Sequence, residues 1–99
     1  MKNELIHYIR NENREPVGMV LAAKFPFEGE TKIGVGWSAC SPKERFNKDL
    51  AFTIAYGRAR KGTNAHFPEA HRKQLKAVYD NMKDRATRYF KGATLGVWC

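Results

Sequence analysis

Thr31-Lys32-Ile33-Gly34-Val35-Gly36-Trp37-Ser38-Ala39, followed after one residue by Ser41-Pro42-Lys43-Glu44, is the stretch whose reading decides the fold. The first run alternates with period two, setting Ile33, Val35 and Trp37 against Lys32, Gly34, Gly36 and Ser38. Residues at that spacing lie on opposite faces of a strand. The strand predicted over Thr31–Ala39 therefore has one bulky face and one nearly bare face. A bare face admits the close approach of another element, a packed helix or a ligand, and structural packing is the expectation. The second run changes the period. Ser41 as N-cap, Pro42 at the first helical position and Glu44 at the third form a capping box, so a helix is expected to open there.

Upstream, Leu5–Arg10 and Val17–Phe25 read as two further strands, rich in β-branched and aromatic residues, with Gly18 placed for a bulge. Asn11–Pro16 and Pro26–Glu30 supply the turns between them. Connections this short predict an antiparallel meander. Downstream, Phe46, Leu50 and Ile54 recur every four residues, with Gly57 on the same side as a site for a close helix crossing. Ala51, Phe52, Ala55, Tyr56 and Ala59 fill much of the remaining circumference, which predicts a helix buried on more than one side. Cations Arg58, Arg60 and Lys61 precede a stop at Gly62. After a loop over residues 63–67, Pro68 opens a second helix to about Phe90, with Leu75, Val78, Tyr79, Met82, Ala86, Tyr89 and Phe90 as its apolar stripe and Gly92 as its stop. The tail, residues 93–99, is apolar enough to dock on the core or to add a short edge strand. The fold class read from these elements is α+β: a three-stranded antiparallel meander followed by two helices, in one domain spanning residues 1–99.

The chain has 99 residues, of which 42% are hydrophobic and 12% aromatic, a composition that folds rather than stays disordered. No apolar run reaches the length of a membrane span, and no signal-peptide core follows Met1-Lys2-Asn3-Glu4, so a cytoplasmic protein is expected. Cys40 and Cys99 form no Cys-x-x-Cys pair and read as free thiols in a reducing compartment.

Charge is the most informative total. Residues 1–40 carry five basic and five acidic side chains, while residues 41–99 carry thirteen basic and five acidic ones, which is the whole formal net charge of +8. That asymmetry predicts an anionic partner: nucleic acid, a nucleoprotein assembly or an acidic protein surface. Catalytic patterns are missing by comparison. Trp37-Ser38-Ala39-Cys40-Ser41 lacks the glycines of a nucleophile elbow. His66 and His71 are five apart, where a zinc helix sets ligands four apart. Gly34-Val35-Gly36-Trp37 supplies only the first half of a dinucleotide-binding glycine motif and lies inside a strand. The sequence thus predicts a non-enzymatic binding protein, with neither metal nor cofactor.

The candidate contact residues cluster where the helices meet. Arg58, Arg60 and Lys61 end the first helix, Arg72 and Lys73 begin the exposed face of the second, and Lys76, Lys83, Arg85, Arg88 and Lys91 add to it. Asn64, His66 and Phe67, between them, offer groups suited to phosphate contact and base stacking. Pairs at helical spacing, Glu69 with Lys73, Lys76 with Asp80 and Asp84 with Arg88, are expected to offset part of the charge.

The stretch from Val35 to Ala59 resembles a pattern in small uncharacterised bacteriophage proteins. In these a strand ending in Cys precedes Ser/Asn-Pro-Lys-Asp/Glu, a Phe-x-Lys step and Ile-Ala-x-Gly-Arg-Ala. Here the corresponding residues are Cys40, Ser41-Pro42-Lys43-Glu44, Phe46-Asn47-Lys48 and Ile54-Ala55-Tyr56-Gly57-Arg58-Ala59, with Ala51 where a glycine is common. The resemblance covers about a quarter of the chain and implies a phage accessory protein made in an infected bacterium. It also raises an alternative function, inhibition of a host defence or transcription protein by protein–protein binding.

Overall fold

The computed structural model describes residues 4–40, 45–62 and 67–96. Strands β1 (Glu4–Arg10), β2 (Pro16–Phe27) and β3 (Glu30–Ala39) are followed by helix α1 (Lys48–Arg60), a 3₁₀ turn (Glu69–His71), helix α2 (Arg72–Tyr89) and a two-residue strand β4 (Thr94–Leu95). The sheet order is β1-β2-β3-β4. The first three strands form the antiparallel meander the sequence predicts. The tail does add an edge strand, but parallel to β3, so the sheet is mixed.

Local chemistry sets the two hairpin turns. Asn11 Oδ1 accepts from the backbone N–H groups of Asn13 at 2.9 Å and Glu15 at 3.0 Å, holding the first loop in shape. In the second, Glu28 (φ 49°) and Gly29 (φ 81°) are both left-handed, the backbone of a two-residue hairpin whose twist matches its strands. The β1–β2 register slips between Ile9 and Arg10, where Gly18 and Pro16 lie opposite and Val17 is the extra residue, next to the glycine expected to mark a bulge.

The helices cover opposite faces of the sheet. On one, Ile9, Val20, Ala22, Ile33, Val35 and Trp37 pack with Phe67 and with Leu75, Tyr79, Met82, Ala86 and Phe90. On the other, Met19, Leu21, Ala23 and Phe25 pack with Ala51, Ala55 and Ala59 of α1. Here the bare face of β3 receives its helix. A Cβ on Gly34 would collide with the Ala59 carbonyl oxygen, and one on Gly36 with that of Ala55. The helix backbone itself rests on the strand, which only glycine below and alanine above permit.

Several expectations about the helices are corrected. Residues 41–44, the expected capping box, lie outside the described residues. Arg45–Asn47 are not helical, and α1 begins at Lys48, with Asn47 Oδ1 accepting from Leu50 N–H at 3.1 Å as the cap. The helix is buried along one side only. Leu50 is 55% exposed and Ile54 38%, because the glycine face admits alanines and displaces larger side chains to the flank. Gly57 makes no crossing; a Cβ there would meet open space. On α2 the expected stripe is buried apart from Val78, half-buried, and Tyr89, which is 46% exposed at the fraying end.

Candidate polyanion-binding surface

The structure ties three of the candidate residues to one tryptophan. The backbone hydrogen-bonding groups of alternate β3 residues point away from β2. Gly96 N–H reaches the Ile33 carbonyl at 2.8 Å, and β4 pairs with no residue of β3 beyond Ile33. Further along this edge Arg58 Nη1 donates to the Trp37 carbonyl at 2.8 Å. Its guanidinium carbon also lies 3.9 Å from the Trp37 ring centroid, a cation–π contact. Burial lowers the Arg58 pKa from its ordinary value. The Phe67 ring meets Trp37 edge-on at 5.6 Å and Tyr79 at 5.1 Å. Arg72 Nη2 donates to the Phe67 carbonyl at 3.3 Å.

Two assignments are revised by this geometry. Phe67 is only 8% exposed and its ring is enclosed by Trp37 and Tyr79, so it belongs to the core and is not a platform for a base. Arg58 is committed to the sheet edge; its charge is at the junction, but its hydrogen bonding is structural. Asn64 and His66 lie outside the described residues. Arg60, Lys61, Arg72, Lys73 and Lys76 are exposed.

On α2 the cations sort by helical position. Arg72, Lys76 and Lys83 stand at i, i+4 and i+11, so they share one flank, with Lys73 beside them. Asp80 sits among them, and Asp84, eleven residues on from Lys73, borders the same side. Asp80 accepts from Lys76 at 3.1 Å and lies 3.4 Å from Lys83 Nζ. The hydrogen bond from Lys76, ahead of that from Lys83, lowers the Asp80 pKa. Arg88 pairs with Asp84 at 2.7 Å as expected, whereas the pair expected between Glu69 and Lys73 is not made. Lys61 and Lys73 have no carboxylate partner among the described residues. Lys83, a heptad step from Lys76, was among the further α2 cations that the sequence offered.

Among the described residues no three His, Cys, Asp or Glu side chains gather in a metal-binding arrangement. A cavity of about 50 Å³ beside the β3 end is lined by Ser38, Arg45, Phe46, Leu50 and Ile54 among others. No helix of the described residues is long and apolar enough to cross a membrane. No protein-family model, curated protein or solved structure matches the chain.

Proposed function

We propose that this protein is a small basic non-enzymatic binder of nucleic acid or of a nucleoprotein assembly. The observation that supports the reading is the α2 flank, where Arg72, Lys73, Lys76 and Lys83 outnumber the two carboxylates on that side, Asp80 and Asp84. Lys61, at the C-terminal end of α1, is a further exposed cation with no carboxylate partner among the described residues. Such a surface contacts phosphates from a rigid helix and reads no base edges, so affinity without strong sequence preference follows. The resemblance of Val35–Ala59 to phage proteins supports a phage-encoded origin, with the polyanion in the infected cell's cytoplasm.

Fluorescence anisotropy with labelled single- and double-stranded DNA and RNA, at low and at physiological salt, tests this reading. Binding at low salt that weakens steeply as salt rises is the expected result. No binding to any of the probes at low salt overturns it.

A further inference from the structure

The outer edge of β1 is the largest unfinished feature of the sheet. Among the described residues no strand pairs with it. The ladder fixes which groups it presents. Cys40 N–H donates to the Val17 carbonyl, so the odd residues of β2 face β3 and the even ones face β1. Val20 and Ala22 lie opposite His7 and Leu5. The backbone N–H and C=O groups of Glu4, Ile6, Tyr8 and Arg10 therefore point outward.

The same residues carry side chains toward the α1 face, where α1 lies mainly across β2 and β3 and covers them only in part: Tyr8 meets the Phe46 ring edge-on at 6.4 Å. Ile6 is 39% exposed and Tyr8 half-buried. With Phe52 and Met19 they line an open groove of about 410 Å³. An open edge beside partly exposed apolar side chains is a surface for strand addition.

We infer that β1 pairs antiparallel with β1 of a second copy of this chain, about a two-fold axis through His7, to give a continuous eight-stranded sheet. The sequence of the edge is self-complementary in that register. Glu4 falls opposite the partner's Arg10, and Ile6 falls opposite the partner's Tyr8, each in a hydrogen-bonded pair. Arg10 already lies over the Tyr8 ring, with its guanidinium carbon 5.7 Å from the centroid, so cation, aromatic and carboxylate would meet on one face. On the opposite face Leu5 falls opposite the partner's Ile9, extending the α2 core across the axis. Sliding the register two residues either way breaks this match: one slide sets Glu4 against Tyr8, the other sets Arg10 against Ile6. Opposite charges and aliphatic–aromatic pairs directly across a ladder are the stabilising combinations. A closed two-fold pairing also removes the edge from further addition. This inference goes beyond the polyanion reading and does not depend on it.

Sedimentation velocity on the whole chain over micromolar to millimolar concentration tests the pairing. A concentration-dependent dimer is expected. Glu4→Arg and Arg10→Glu should each raise the dimer dissociation constant about tenfold, and the two together should restore it. In a background with Cys40→Ser and Cys99→Ser, His7→Cys places two thiols at the axis in a non-hydrogen-bonded pair, where Cα atoms are about 4.5 Å apart and a disulfide closes readily. Oxidation should then yield a covalent dimer, while Glu12→Cys in the same background should not. A monomer across the whole range overturns the inference. So does a dimer that is indifferent to both charge reversals and is not captured through residue 7.

Discussion

The two helices solve the same packing problem in opposite ways. On α2 the large residues, Leu75, Tyr79 and Met82, point inward against Ile33, Val35 and Trp37, and charge points outward. On α1 the inward residues are Ala51, Ala55 and Ala59, of which Ala55 and Ala59 rest on Gly34 and Gly36, and the larger Leu50 and Ile54 lie exposed. One interface is held by apolar volume, the other by close backbone approach. The difference shows that a glycine-lined strand face selects the smallest stripe of its helix, even when a more apolar stripe is present.

The largest effect should come from filling the tight side. Gly36→Val drives a side chain into the α1 backbone and should destabilise the fold by about 3 kcal/mol or more, or abolish folding, measured by urea denaturation. The bulky side should respond to removal instead. Leu75→Ala, fully buried under α2, should cost about 3 kcal/mol through a cavity, with an unchanged denaturant slope. At the edge that joins the two sides, Arg58→Met keeps the stem but loses the bond to Trp37, and should cost about 1–2 kcal/mol. Its effect on polyanion affinity should be smaller than that of Lys73→Glu. Gly57→Ala, facing open space within α1, should stabilise by about 0.5–1 kcal/mol, the opposite sign to Gly36→Val.

The smallest effect concerns Asp80. Its pKa is lowered from 3.8 in the folded state, so its pairs with Lys76 and Lys83 contribute stability above that value and lose it as pH falls through the lower folded value. Because Asp80 is exposed, the contribution should stay under about 0.5 kcal/mol, and the acid limb of a thermal-stability profile should flatten only slightly in Asp80→Asn.

Most of the architecture was legible because each strand and α2 follow their own periods. The alternation in Thr31–Ala39 announced both a bulky and a bare face, and both have the partners that pattern demands. The start of α1 was not legible. Two caps compete within seven residues, and Ser41-Pro42-Lys43-Glu44 carries the stronger local signal, whereas Asn47 makes the bond. Gly57 and the Phe46–Leu50–Ile54 stripe were misleading because apolarity says what can be buried, while the glycines of β3 decide what fits. The site was half legible. Charge directed attention to the junction of the helices, but a sequence could not show that Phe67 is enclosed by Trp37 and Tyr79, or that Arg58 turns to the sheet edge.

The central claim is that the α2 flank meets phosphates. Lys73→Gln, Lys76→Gln and Lys83→Gln together remove three of its charges while leaving the buried face untouched. The measurement is the slope of log affinity against log salt for double-stranded DNA, wild type beside the triple variant. Each phosphate contact contributes about 0.9 to that slope, so the variant should bind more weakly with a slope shallower by about 3. Equal affinity and equal slope for the two proteins would contradict the account.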